Sequence, residues 1–282
     1  MTATAVRTVT LPSGDRIPAL GMGTWHMGED PLLRESEVTA LRLGLDLGLT
    51  LVDTAEMYGD GLTEELVGEA LAGRRDEVFL VSKVVPHHAT RSGTVAACTE
   101  SLARLRTDHL DLYLLHWRGR VPLTETLAGF ADLLEAGRIR HWGVSNFDVA
   151  DMDELVGVPG GAAVQTDQVL YNLMRRGVEY DLLPWCARTG VPVMAYSPVE
   201  QGLLLGHPAV RGVAGRHGVS AAQVALAWVL RHDTVDAIPK AGTPKHVYED
   251  RAALDLRLTR ADLLELDLAF PPPDHKVPLE LH

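Results

Sequence analysis

A carboxylate that ends an apolar run, with a tyrosine soon after in a glycine-bearing loop, either punctuates a strand or builds half of an active site. Residues 51–61 read LVDTAEMYGDG, with Asp53 and Tyr58 as the polar pair. Two later apolar runs, VFLVSK (78–83) and LDLYLLH (110–116), end in Lys83 and His116. A tyrosine hydroxyl has an ordinary pKa near ~10 and is a poor acid by itself. A lysine ammonium beside it favours the phenolate and is expected to lower that value. A lysine drawn out of water keeps its proton only against an anion, a role that suits Asp53. A neutral imidazole such as His116 can donate to a carbonyl oxygen and hold it near the tyrosine. The set supplies a proton to an oxygen gaining negative charge. It supplies no electrons, so a reduction also needs a hydride cofactor facing the carbon.

Something must bring these side chains together. Residues 6–18, VRTVTLPSGDRIP, alternate and then turn, which predicts a β-hairpin. Eight apolar runs follow, at 19–23, 49–53, 78–83, 110–116, 139–146, 162–168, 191–196 and 235–240. Helix-like stretches separate them: Val38, Leu41 and Leu45 share one face, as do Val95, Cys98, Leu102 and Leu105. Caps agree, with Thr63 before Glu64-Glu65, Ser220 with Gln223, Thr259 with Asp262, and Thr243 before Pro244. Gly137 and Gly190 stand where helices should stop. No linker or low-complexity tract interrupts the alternation. The expectation is an α/β fold, a (β/α)₈ barrel of residues 1–282 in one domain, with the N-terminal hairpin and an extra C-terminal helix. In such a barrel, polar strand ends converge at one rim. Besides Asp53, Lys83 and His116, these ends carry Ser145-Asn146, Gln168, Tyr196 and Lys240. Ser145, Asn146 and Gln168 can hydrogen-bond a carboxamide, and Tyr196 offers a face for stacking. The loop 197–206 can wrap a pyrophosphate with backbone N–H groups, and Lys240 with the helix start after it offers positive charge to a phosphate.

Composition excludes several classes. A formal net charge of −12 disfavours nucleic acid and anionic membrane as partners. Two cysteines, Cys98 and Cys186, lie far apart without a C-x-x-C, which argues against a disulfide framework or a zinc site. His87-His88 reads as a solvated pair, so no metal is expected. The opening MTATAVRTVTLPSGD has no apolar run of leader or span length, and a cytoplasmic location is expected.

The chain resembles the aldo-keto reductase superfamily along essentially its whole length. The motifs that carry the resemblance are LGMGTW (20–25), LVDTAEMYG (51–59), VFLVSKV (78–84), LDLYLLHW (110–117), RIRHWGVSNF (138–147), DQVLYNL (167–173), VMAYSPV (193–199) and AIPKAGTPKHVYED (237–250). The "GEDP" run after Trp25 and EYDLLPWC (179–186) are most similar to small bacterial members resembling methylglyoxal and 2,5-diketogluconate reductases. The resemblance implies NADPH-dependent reduction of aldehydes and ketones to alcohols. It implies that Tyr58 is the proton donor, that Lys83 and Asp53 tune it, and that His116 orients the carbonyl. For the cofactor it implies contacts from Gly23, Thr24 and Trp25, from Asp53, and from Ser145, Asn146 and Gln168. Tyr196, Ser197, Pro198, Val199, Gln201 and Leu203 continue that surface. Ile238, Pro239, Lys240, Ala241, Gly242, Thr243, His246, Glu249 and Asp250 complete it. Trp25, Met57, Tyr58, His116 and Trp117 would line the substrate pocket.

Three positions depart from the family pattern. Many members have arginine where this chain has His246, Ser or Thr where it has Ala241, and Asn where it has Asp250. The preference for NADPH over NADH is therefore expected to be weaker. The tail PPPDHKVPLELH (271–282) is short, which suggests an open pocket for small reactive carbonyls such as 2-oxoaldehydes. Two rivals use the same residues differently. A barrel lyase would use Lys83 as a Schiff base, and Asp53 argues against it. A cofactor-sensing accessory subunit without turnover would be a protein's partner; no obligate protein partner is evident in the sequence.

Overall fold

A computed structural model describes residues 6–282. The reading of the opening stretch as free of a leader falls partly on residues 1–5, which lie outside the described residues. Strands β1 (Thr8–Thr10) and β2 (Arg16–Pro18) pair antiparallel as the expected hairpin. Eight further strands form one parallel sheet in chain order. They are β3 (Met22–Gly23), β4 (Leu51–Asp53), β5 (Phe79–Val84) and β6 (Leu110–Leu115). β7 (Ile139–Ser145), β8 (Asp167–Leu170), β9 (Val193–Tyr196) and β10 (Val235–Ala237) complete it. Parallel bridges Leu20–Ala237 and Gly23–Lys240 join the last strand to the first and close a (β/α)₈ barrel. Closure needs glycine. A Cβ on Gly23 would lie 2.5 Å from the Ile238 carbonyl oxygen, and one on Gly21 would run into Leu51.

Helices cover the outside, and alternate strand residues face in. On β6, Leu112 and Leu114 point into the barrel, whereas Tyr113 and Leu115 belong to the outer core under the helices. The hairpin plugs the N-terminal end, where Val9, Leu11 and Ile17 join Leu51, Val81 and Leu112 in an inner apolar cluster. That leaves the C-terminal rim as the polar end. The expected helix faces are buried at Val38, Leu41, Leu45, Cys98, Leu102 and Leu105. Capping boxes form at Ser220/Gln223 and Thr259/Asp262, Thr243 caps Pro244–Ala252, and the extra C-terminal helix is Arg260–Ala269. No helix among the described residues is long and apolar enough to cross a membrane.

Some boundaries differ from expectation. Thr63 is not a cap: helix Leu62–Ala70 starts after Gly61 at φ 92°, and the Thr63 hydroxyl donates to the Met27 carbonyl at 2.6 Å. The run 162–168 begins as a tight turn over Gly161–Ala163, because Gly160 is left-handed, and its strand starts only at Asp167. The first run shortens to Met22–Gly23 and the last stops before Pro239, which has no N–H to give a ladder.

Candidate active site

The rim assembles from strand ends. Register places Asp53 beside Val81 on β5, and Lys83 beside Leu114 on β6, so side chains two residues apart rise on the same inner face. Lys83 is completely buried. Its ammonium donates to Asp53 Oδ2 at 2.8 Å, to the Thr54 carbonyl at 2.8 Å and to Tyr58 Oη at 3.2 Å. All three lysine donors are thus satisfied by protein. Asp53 is shared: its Oδ1 accepts from Gln168 Nε2 at 2.7 Å. Thr24 fixes the same strand end by donating to the Asp53 carbonyl at 2.8 Å. Tyr58 comes from a tight turn, Tyr58–Gly61, in which Gly59 and Asp60 both take left-handed angles. The glycines let the chain reverse so that the tyrosine points back over Lys83. The His116 ring stands edge-on to Tyr58 with centroids 5.8 Å apart.

Burial governs the electrostatics. It pushes the Lys83 ammonium down, but Asp53 and then Tyr58 outweigh it and hold the group above its ordinary value. Burial raises Asp53, and Lys83 and Gln168 pull it partly back. The Tyr58 hydroxyl corrects the expectation of a lowered value. Burial raises it, Lys83 lowers it only in part, Asp53 raises it again, and the balance lies above the ordinary tyrosine value. His116 is pushed well below an ordinary histidine, by burial first and Lys83 second, so its imidazole is neutral. Its Nδ1 is buried without a partner.

The rest of the rim carries the expected carboxamide and stacking groups, already ordered among themselves. Asn146 sits at φ 61° and donates to the His116 carbonyl at 3.0 Å and to Ser145 Oγ at 3.1 Å. Ser145 donates to the Gln168 carbonyl at 2.8 Å, and Tyr196 Oη donates to Asn146 Oδ1 at 3.0 Å. These are the amide and hydroxyl groups a nicotinamide carboxamide needs, on one rim with a half-buried aromatic ring. Beyond β9 the loop holds Ser197, Glu200 and Gln201 in left-handed angles, while Pro198 is buried, Val199 packs on the core and Leu203 is exposed. Beyond β10, Ala241 is buried and Gly242 accepts from Ser36 Oγ at 3.2 Å. Thr243 caps the next helix, on which His246 is exposed, Lys245 and Glu249 approach to 3.8 Å and Asp250 is buried. Ile238 faces the inner barrel cluster, so its side chain is core and only its backbone borders the rim. The residues present fit a dinucleotide, with amides at one end and cations at a helix start at the other.

At the mouth, Trp25 stacks on His26 at 4.3 Å, and Met57 is about half exposed. Trp117 tilts against His116 with centroids 5.0 Å apart. Three features escaped the sequence. Glu37 is buried, binds the Gly28 N–H at 2.8 Å and lies 3.8 Å from Lys240, yet in sequence it is an ordinary acid in a first helical turn. Glu56, between Asp53 and Tyr58, anchors Val85 N at 2.7 Å and meets His88 at 3.2 Å. The short tail is not free: Glu280 pairs with Arg175 at 2.7 Å and Lys276 with Asp181 at 3.2 Å, so the tail walls the Tyr196 side of the mouth that was expected to be open. A surface cleft bounded by Leu102, Arg106 and Arg138 lies at the opposite end of the strands and carries none of these groups.

A closed (β/α)₈ barrel with a buried lysine–carboxylate pair under a tyrosine and a neutral histidine, all at its C-terminal rim, is the architecture of a barrel oxidoreductase. Residues 19–269 match the model of the Aldo/keto reductase family, and the chain belongs to that family. It is 54% identical over 275 residues to the methylglyoxal reductase YeaE of Escherichia coli (strain K12), covering 95% of this chain and 97% of that one. A glyoxal reductase of Bacillus subtilis (strain 168) is 33% identical, with 92% and 91% covered. The crystal structure of an aldo/keto reductase from Klebsiella pneumoniae in complex with NADP and acetate superposes with a TM-score of 0.96 at 49% identity, covering 99% of this chain and 100% of that one.

Proposed function

We propose that this protein reduces small reactive carbonyls, 2-oxoaldehydes above all, to alcohols with NADPH. The observation that carries the reading is the Lys83 ammonium, 2.8 Å from Asp53 and 3.2 Å from Tyr58 Oη, at the rim of a barrel of this family. NADPH, when bound, supplies the hydride. The chain's own residues handle the oxygen. Tyr58 keeps its proton until negative charge develops on the carbonyl oxygen, then donates it. Lys83 stabilises the phenolate left behind, which is where its charge acts most strongly. Asp53 keeps that lysine charged in a site that excludes water. Neutral His116 donates a hydrogen bond to the carbonyl and orients it. Ser145, Asn146, Gln168 and Tyr196 would hold and stack the nicotinamide end, and Lys240, Thr243 and His246 would face the adenosine phosphate. A lysine held charged by Asp53 is no free amine, which disfavours the Schiff-base alternative.

Substrate size follows from the mouth. Trp25, Met57 and Trp117 give it an apolar edge, and the tail closes its Tyr196 side. Relatives named for methylglyoxal and glyoxal support the same class. The test is NADPH consumption with methylglyoxal, glyoxal, simple aldehydes and a steroid-sized ketone. Methylglyoxal should exceed the bulky ketone in kcat/KM by about 10-fold or more. A faster bulky ketone refutes the substrate class, and no consumption with any carbonyl refutes the function.

A further inference from the structure

The loop after β9 is strained. Ser197, Glu200 and Gln201 take φ of 48°, 48° and 50°, left-handed angles that residues with a Cβ disfavour. Such angles persist only when neighbours hold them. Here the holder is the turn after β8. Asn172 donates to the Ser197 carbonyl at 2.9 Å and to Glu200 Oε2 at 2.6 Å. Arg175 Nε donates to Glu200 Oε1 at 2.8 Å. Glu200 is 1% exposed, so its carboxylate depends on these donors.

Arg175 has a second arm. Its other guanidinium nitrogen donates to Glu280 Oε1 at 2.7 Å, across 105 residues of sequence. Near that point the tail also meets the rim. His282 lies 3.5 Å from Glu200, and its ring is 6.3 Å from the Tyr196 ring. Lys276, against Asp181 and Asp148, moors the tail further back. One guanidinium therefore joins the strained loop to the segment lying beside Tyr196.

We propose that Arg175 is a two-armed clasp that fastens the tail to the loop 197–206, so that lifting the tail and releasing the nucleotide are one coupled event. Arg175 is then a positioning residue. The inference rests on the reading of that loop and Tyr196 as cofactor contacts. The strength of the tail arm suits a strap that must open in each cycle. Arg175 and Glu280 are 36% and 41% exposed in their side chains, the range in which ion pairs are weak and salt-sensitive.

The test uses Glu280→Gln, a half-exposed change that leaves buried Glu200 paired. Hydrogen exchange should show lost protection in both 271–282 and 197–206. The NADPH dissociation rate, followed by stopped-flow fluorescence, should rise about 2- to 5-fold, the size an exposed ion pair supports. Added salt should raise the parent's rate toward the variant's. Arg175→Met, which cuts both arms, should raise it further. A freed tail with an unchanged dissociation rate overturns the coupling, and an unchanged tail overturns the clasp. If the parent binds no NADPH, the cofactor reading fails and takes the nucleotide step with it, whereas parallel exchange in the two segments still reports the clasp.

Discussion

An ammonium buried without an anion costs several kcal/mol, and at Lys83 the anion is Asp53, itself held by Gln168. That chain of contacts decides what each substitution should do. Tyr58→Phe keeps the ring and removes the proton. The fold and NADPH affinity should persist while kcat falls by about 10²–10⁴-fold, the usual worth of a general acid. Equal kcat for variant and parent would end the assignment. Lys83→Met removes the charge that draws Tyr58 back toward its ordinary value, so the tyrosine should rise further. Activity should fall strongly, and an alkaline limb of kcat due to Tyr58 should move to higher pH. Asp53→Asn should also lower activity, because it leaves Lys83 buried without its anion. An alkaline limb unmoved in Lys83→Met would show that another group perturbs the tyrosine. Asp53, Lys83 and His116 were legible because each ends an apolar run, and Tyr58 because it follows one in a glycine-bearing loop. The sign of the tyrosine shift was not, since it depends on the extent of burial, and that is a property of the assembled rim.

Among elements, helices Leu62–Ala70 and Arg91–Leu105 approach each other closely. A Cβ on Gly68 would lie 2.8 Å from the carbonyl oxygens of Arg104 and Leu105. Helix propensity alone favours Gly68→Ala by about 1 kcal/mol. Forcing two packed backbones apart costs about 1–3 kcal/mol. The net expectation is destabilisation, read as a lower urea midpoint with an unchanged slope. A stabilised variant would show that the helices part freely. The same helix follows the Tyr58 turn, so kcat is worth following alongside. Capping boxes at 220 and 259 could be read from four-residue patterns because a cap is local chemistry. The start of β8 and the cap before helix Leu62–Ala70 could not. Gly160 and Gly61 set them through left-handed angles, and Thr63 was diverted to the Met27 carbonyl 36 residues away.

For the whole molecule, alternation of strand and helix made the barrel legible, and apolar strands with polar ends made its working rim legible. Contacts made by chain reversal over long spans were hidden, such as Glu280 on Arg175 and Glu37 near Lys240. Buried carboxyls were hidden too. Asp236 is fully buried, and burial, its largest influence, raises it well above an ordinary carboxyl. In sequence it is only an acid between two apolar residues of β10.

Asp250 gives that hidden chemistry a functional reading. It lies buried on helix Pro244–Ala252, and burial, with Glu249 adding to it, pushes its carboxyl up to about 8. The folded state therefore binds this proton more tightly than the unfolded chain, whose value is near ~4. The stability it contributes is fully present below that value and is lost as pH rises through about 8. Asp250→Asn cannot ionise. Its melting temperature should gain on the parent's progressively across that window and then level off. The same proton bears on the cofactor, because this helix would face the adenosine phosphate with Thr243, Lys245 and His246. While neutral, Asp250 adds no repulsion; once ionised it opposes a phosphate but leaves the phosphate-free ribose of NADH little affected. We expect NADPH affinity to weaken between about pH 7 and about pH 9, with NADH changing less, and Asp250→Asn to flatten that loss. His246→Arg should tighten NADPH alone, since a guanidinium grips a phosphate with two donors. Dissociation constants for both cofactors across that range, for parent and variants, are the measurement. Parallel curves for the parent and Asp250→Asn would place the carboxyl outside the phosphate's reach.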